Sequence, residues 1–297
     1  MTVSSARSAT DVIVPDQLDR SHALALFDLT LDDHGLASAS TIEGPIFDRT
    51  QYSRFKYGDR AIAEYYGTWI ARRLESHLRE LLTDGESVVV FGTPYKQIPN
   101  AARTLAIVAE SYLRMQGLPT MYSRIYQHRL ASGDYSRLSV EERNERNRRK
   151  KRFLDVDDVY GKHVVIIDDV RITGSIEKSI MAMLQGTGAL TVSFVNLLRL
   201  DPVVAAGNPQ LESELNHFAI QSLRDLESLM ESDDFMLNTR AIKFILESDL
   251  HCLFAFASRL STRVLTMLHE GVVDEGYDQM KEYANTSRLI RTLAYER

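Results

Sequence analysis

Between Gly58 and Leu82 the apolar residues Ile62, Tyr65, Tyr66, Trp69, Ile70, Leu74, Leu78, Leu81 and Leu82 recur at three- and four-residue spacing, which predicts a long amphipathic helix closed by the turn TDGE. The pattern then changes period. SVVVFG, Ser87 to Gly92, is short, wholly apolar and β-branched, as in a strand buried on both faces of a parallel sheet. After TPYKQ, the stretch Ile98 to Gln116 reads as a helix, with Pro99 in its first turn and Gly117 at its C′ position. PTMYSRIYQ predicts a second strand, Val164 to Ile167 a third, Ser175 to about Gln185 a helix, and TVSFVNLL a fourth strand. Beyond Asp201 the pattern is helical to the end, through PQLESELNHFAIQSLRDLESLM, TRAIKFILES, HCLFAFASRLSTRVLTMLHE and YDQMKEYANTSRLIRTLAY.

Strands alternating with helices predict an α/β fold, a doubly wound, mainly parallel sheet flanked by helices with right-handed crossovers. Ligands bind such sheets at the carboxyl ends of strands. Two segments lie there, GTPYKQ after the first strand and DDVRITGSI after the third. The remaining long connection, from the second strand to the third, is polar and includes the basic run RNERNRRKKR, Arg143 to Arg152. Such a run reads as a lid over a site, a solvated face, or a patch for nucleic acid.

Composition narrows the class. A net charge of −6 and a pI near 5.8 argue against nucleic acid or an anionic membrane as partner of the whole surface. The start lacks the apolar run of a signal peptide and nothing is apolar enough to span a bilayer, so the expectation is a cytoplasmic protein. One cysteine, Cys252, excludes an intrachain disulfide; its apolar helical setting predicts a small buried hydrophobe. The histidines show no metal-ligand spacing, so no zinc site is expected.

The stretch VVIIDDVRITGSI, Val164 to Ile176, carries the chemistry. Asp168 and Asp169 could simply cap nearby backbone. A nucleoside-triphosphatase would need G-x-x-x-x-G-K-[ST] and a dinucleotide-binding fold G-x-G-x-x-G after a strand; the chain has neither. Two carboxylates at a strand end can accept hydrogen bonds from vicinal hydroxyls and hold a hydrated divalent cation by its water shell. The Thr173-Gly174-Ser175 turn then leads into a helix N-terminus, where backbone N–H groups favour a phosphate. That combination suits a ribose 5-phosphate.

On these residues the chain resembles the type I phosphoribosyltransferases, whose phosphoribosyl diphosphate (PRPP) loop has the same order of apolar, acidic and Thr/Gly/Ser-rich positions. It departs from the usual DDVxTTGGS form at Arg171, Ile172, Ser175 and Ile176, changes that remove hydroxyl donors but leave a backbone cradle. The resemblance implies an N-terminal hood with the long helix over 16–86 after a disordered tail at 1–15, a catalytic core over 87–200, and an all-helical C-terminal region over 201–297. It implies transfer of ribose 5-phosphate from PRPP to a nitrogenous base with release of diphosphate, dependence on Mg²⁺ held at Asp168 and Asp169, and a homodimer. A PRPP- or nucleotide-sensing protein without turnover is the alternative.

In that picture Thr93, Pro94, Tyr95 and Lys96 form the diphosphate loop. Val170, Arg171, Ile172, Thr173, Gly174 and Ser175 wrap the 5′-phosphate, and Asp168, Asp169, Lys96 and Arg129 form the catalytic set. Lys96 could equally be a solvated loop residue. The connection led by Arg129 is similar to the closing loop of ComF-type members. TQYSRFKYGD, Thr50 to Asp59, is either part of the hood that selects the acceptor or a helix-entry staple. As a whole, the helical C-terminal third resembles phosphoribosyltransferase-like proteins encoded in bacterial tellurium-resistance and stress gene clusters.

Overall fold

The computed structural model describes residues 23–32, 35–40, 44–127, 152–208 and 210–296. The N-terminal tail, Arg129, and the basic run except Arg152 lie outside the described residues. The main sheet holds β1 (Ala23–Asp32), β2 (Gly35–Ser40), β3 (Val88–Gly92), β4 (Thr120–Ser123), β7 (His163–Arg171) and β8 (Thr191–Leu200), in the order β2-β1-β8-β7-β3-β4. All neighbours are parallel except the edge hairpin β1–β2.

The continuous apolar runs are explained by burial on both faces. Val88, Val90, Val165 and Ile167 join one core cluster with the helices α2 (Arg60–Leu81) and α3 (Ala101–Met115). Val89, Phe91, Val164 and Ile166 join a second cluster with Ile180 and Leu184 of α4 (Ser175–Leu184). Where α2 crosses α3, a Cβ on Gly67 would lie 2.8 Å from Val108 Cβ, so glycine permits the close approach.

The structure extends the sequence reading at three points. β1 enters the sheet beside β8, from Ala23↔Phe194 to Leu29↔Leu200, so the region assigned to the hood also supplies core strands. Asp28 interrupts its apolar run; Arg199 of β8 compensates that carboxylate with bonds of 2.6 and 2.9 Å. β7 continues past Ile167 because β8 offers ladder partners as far as Arg171↔Arg199, so Asp168 to Arg171 lie on a strand rather than in a loop. The second predicted strand is broken at Arg124: β5 (Tyr126–Gln127) leaves the sheet and pairs with β6 (Arg152–Phe153).

The C-terminal region is helical, as its pattern predicts, and has its own core of Leu226, Ile242, Ile245, Phe256, Leu265, Leu268 and Ile290, among others. It comprises α5 (Pro202–Gly207), α6 (Leu211–Asn216), α7 (Leu223–Met230), α8 (Thr239–Leu246), α9 (Leu250–Ala257), α10 (Thr262–Glu275) and α11 (Ala284–Tyr295). The long helical stretches are divided by caps: Ser222 and Asp225 form a capping box that starts α7, and Ser261 caps α10. Cys252 corrects the expectation of burial. It is exposed in the first turn of α9, beside Asp249 and His251, and a hydrogen bond to the Asp249 carboxylate raises its thiol above the ordinary value, which disfavours the nucleophilic thiolate.

Gly58 joins the two cores. Between α1 (Arg49–Lys56) and α2 the chain turns at φ +102°, Met236 N donates to Gly58 O at 2.8 Å, and Arg60 N donates to Asp234 O at 2.8 Å. A Cβ on Gly58 would lie 2.1 Å from Met236 O. Gly58→Ala therefore lowers stability by about 3 kcal/mol, from left-handed strain plus the clash. Gly85→Ala, equally left-handed at φ +86° but with nothing within 4 Å, costs about 1 kcal/mol. Urea denaturation of the two variants should show that order.

Candidate functional site

At the end of β7 two adjacent carboxylates need compensation, and the neighbouring elements supply it. Asp168 Oδ1 accepts from Thr93 Oγ1 at 3.1 Å and from Asp169 N at 2.9 Å. Thr93, just past β3, is itself oriented by Asn100, the cap of α3, whose Nδ2 donates to Thr93 O and Oγ1 at 3.2 and 3.1 Å. Asp169 Oδ2 pairs with Lys56 Nζ at 2.5 Å, the lysine side chain being 5% exposed at the end of α1. Burial, and then the Asp169 charge, push the Asp168 carboxyl well above its ordinary value of 3.8.

The pair opens on a cavity of ≈ 260 Å³. Its walls include Thr93 to Lys96, Asp168 to Glu177, and, from the C-terminal region, Arg240, Lys243 and Glu275. All described members of the expected site thus converge on one space. A second cavity of ≈ 160 Å³ adjoins it through Lys56, Asn100 and Asp169. Tyr57, His217 and Phe244 wall that space, with ring centroids 5.2 to 6.0 Å apart.

The turn Thr173-Gly174-Ser175 opens α4 as expected: Gly174 is left-handed at φ +66°, and the helix has no side-chain cap. Beside it Arg171 Nε donates to Glu177 Oε1 at 2.9 Å. Glu177 is buried and also accepts from Asn196 Nδ2 at 3.4 Å.

Lys96 sits in the expected loop but is held from an unexpected side. Its Nζ donates to the carbonyl oxygens of Glu275 and Asp274 at 2.8 and 3.4 Å, at the C-terminal end of α10. The buried Glu275 side chain accepts from Gln97 N and Ile98 N at 2.8 and 2.6 Å through Oε1, while its Oε2 has no hydrogen-bond partner among the described residues. Arg124 donates to Lys96 O and lies between the rings of Tyr95 and Tyr126, 4.1 and 4.5 Å from their centroids.

Of TQYSRFKYGD, Tyr52 and Phe55 are core residues, whereas Lys56 and Tyr57 face the cavities. Sequence reasoning marked that cluster without seeing that Lys56 meets Asp169, and it missed Asn100, Glu177, Asn196 and Glu275. Asn100 could have been found as a helix cap, and Glu177 lies just past the acidic stretch, six residues from its partner Arg171; Asn196 and Glu275 are distant in sequence and carry no local signal.

Hard oxygen donors at Asp168 and Asp169 suit Mg²⁺, but the ammonium on Asp169 Oδ2 repels a second cation bonded to that atom. The donor set therefore fits a cation held through its water shell.

A family model described as PRTase ComF-like matches residues 36–290. No curated protein matches the chain. Among solved structures, the hypoxanthine-guanine phosphoribosyltransferase of L. donovani is similar at TM-score 0.36 and 15% identity, over 50% of this chain and 78% of that one. A hypoxanthine phosphoribosyltransferase from Staphylococcus aureus gives 0.32 and 20%, over 46% and 64%. One from Trypanosoma cruzi gives 0.34 and 16%, over 54% and 70%.

Two outcomes test the electrostatics. Lys56→Met leaves the Asp169 charge buried and unpaired and costs about 3–5 kcal/mol in urea denaturation, most of it recovered when Asp169→Asn is added. The second is a pH effect. With its folded pKa raised, Asp168 binds more protons in the native state, so its ionisation lowers stability as pH rises above 3.8 through the folded pKa. Asp168→Asn should melt higher than the parent at pH 7, the gap closing as pH falls toward 3.8.

Proposed function

The chain belongs to the ComF-like phosphoribosyltransferase family, and we propose that it transfers ribose 5-phosphate from PRPP to a nitrogenous base with release of diphosphate. The observation that carries this reading is the convergence of Asp168, Asp169, the Gly174 turn and the Thr93–Lys96 loop on one cavity.

The residue roles follow from their chemistry. Asp168 and Asp169 accept hydrogen bonds from the ribose hydroxyls, while Thr93 and Lys56 hold the two carboxylates apart. The turn Thr173-Gly174-Ser175 presents the α4 N-terminus to the 5′-phosphate. Lys96, on moving from the α10 carbonyls, contacts the diphosphate, and Arg129, outside the described residues, is assigned to the same group. Asp168 and Asp169 are the residues that would hold Mg²⁺, which when bound would supply charge neutralisation for the leaving diphosphate. With the C1–O bond broken first, the sugar passes through an oxocarbenium-like state, which the two carboxylates stabilise.

The acceptor base occupies the second cavity, which is walled in part by the rings of His217 and Phe244, packed against the buried Tyr57, and shares Lys56, Asn100 and Asp169 with the first. We infer a homodimer from the fold, and a cytoplasmic location. No helix among the described residues is long and apolar enough to cross a membrane.

A PRPP-sensing module without turnover is the second reading. The hold of Glu275 on the loop amides favours it, since diphosphate must compete with a built-in carboxylate.

PRPP with Mg²⁺ should stabilise the full chain against heat, by about 2.7 kcal/mol at a concentration a hundredfold above Kd. Diphosphate release in the presence of a base should fall roughly 10- to 100-fold in Asp169→Asn, the value of one charge-assisted hydrogen bond. Stabilisation without release selects the sensing reading; no stabilisation defeats both.

A further inference from the structure

We propose that His217 is the base of the transfer: its Nε2 accepts the ring N–H of the acceptor heterocycle and takes that proton as the nitrogen bonds to C1 of the ribose. This rests on the transfer reading and on the second cavity as the acceptor's place. His217 caps the C-terminal end of α6, and its Nδ1 lies 2.7 Å from Ser213 O, one turn back, with Ser213 Oγ farther off at 3.4 Å. A carbonyl oxygen only accepts, so Nδ1 carries the ring hydrogen and the neutral imidazole keeps its lone pair on Nε2. The basic nitrogen is thus the one not turned back on the helix.

The ring is held where an acceptor would meet it. It is half-buried in the wall of the second cavity, and Tyr57 and Phe244 pack against it at centroid distances of 6.0 and 5.8 Å. Those two contacts and the Ser213 bond together fix the plane of the imidazole. Asp169, assigned to the ribose hydroxyls, lines the same cavity, so a planar heterocycle filling that space meets the sugar site and the imidazole together. The acceptor class that follows is a heterocycle with a ring N–H to lose.

The carboxylates that share this cavity are engaged. Asp169 Oδ2 meets Lys56 Nζ at 2.5 Å, and Glu247 Oε1 accepts from Tyr283 Oη at 3.3 Å. An ordinary carboxylate, with a pKa of about 4, also holds a proton poorly near neutral pH, where an imidazole of about 6.5 is matched to taking one. Around the ring stand Lys56 of α1, Asp169 of β7, Arg240, Lys243 and Glu247 of the α8 segment, and Glu212 of its own helix, so carboxylates offset the cations that the imidazolium meets. Atoms and electrons balance. The C1–O bond breaks with its pair leaving on diphosphate, the nitrogen lone pair makes the N–C1 bond, and the N–H pair returns to the ring as its proton passes to Nε2. Solvent takes that proton after the product leaves.

Diphosphate release from PRPP and Mg²⁺ with adenine, hypoxanthine, uracil or orotate, each in turn, is followed on the full chain from about pH 5 to 8. At least one base should be turned over, with kcat rising with pH as His217 loses its proton. His217→Asn keeps a donor for Ser213 O and removes Nε2. It should lower kcat about 100-fold, flatten the rise with pH, leave KM for PRPP at the parental value and recover in part with added imidazole. The ¹⁵N shifts of His217 in the parent need no variant, and should show the hydrogen on Nδ1 at about pH 8. If a base is turned over and His217→Asn matches the parent in rate and pH profile, or the hydrogen sits on Nε2, the assignment of His217 is wrong and the transfer reading stands. If none of the four bases releases diphosphate, the transfer reading fails and the assignment with it.

Discussion

Two carboxylates side by side at the end of a buried strand repel each other and lose solvation, and the architecture around β7 answers that constraint. Asp168 is met by a threonine hydroxyl and a backbone N–H, Asp169 by a buried ammonium. These compensations come from separate elements: Thr93 follows β3 and Lys56 ends α1. Each is held in turn by something further out, Thr93 by the α3 cap residue Asn100 and Lys56 by a backbone bond from Asn238 Nδ2 to its carbonyl at 3.1 Å. The acidic pair is thus stable only within the whole assembly, because removing any one partner strands a charge in a medium of low polarity.

That dependence gives the C-terminal helices a role that their position in the chain conceals. They form a core of their own, yet several of their residues bond to elements that build the site. Ser53 of α1 donates to Asn216 O at 2.7 Å and accepts from Ala219 N at 3.0 Å. Asn238 holds the end of α1, and Glu275 with its carbonyl holds the loop after β3. The region therefore sets where Lys56 and Lys96 point. An anionic ligand arriving at the loop meets amides already bonded to Glu275, so binding there exchanges one anion for another and couples the ligand to the end of α10.

How much of this was legible in the sequence depended on the range of the signal. Burial on both faces makes a strand read as a continuous apolar run, so β3 and β7 were visible, and the 3.6-residue period showed α2 to within a few residues. β1 was not, because Asp28 breaks its run and the arginine that neutralises it lies on β8, far along the chain. The PRPP-like stretch was legible because its paired carboxylates and its small-residue turn follow one another directly in the chain. Lys56 and Glu275 act through tertiary pairs, and nothing beside them in the chain announces the partner. Cys252 shows the opposite error: an apolar stretch suggested burial, whereas the first turn of α9 faces outward with Asp249 as its cap.

The departures from the family pattern also read differently once the pairs are known. A sequence comparison counts Arg171 as the loss of an aliphatic residue and takes no notice of Glu177 in the first turn of α4. Together they form a neutral unit in which the acid bonds Nε and orients the base. Both charges stand at the turn: Glu177 Oε2 and Arg171 Nη2 lie 3.2 and 3.4 Å from the position a Cβ would take on Gly174, and the carboxylate is buried against Asn196. Without Glu177, Arg171 loses the partner of its Nε; without Arg171, Glu177 leaves a buried carboxylate at the turn. The pair thus keeps the turn from carrying an uncompensated buried carboxylate, which any anion bound at the α4 N-terminus would meet.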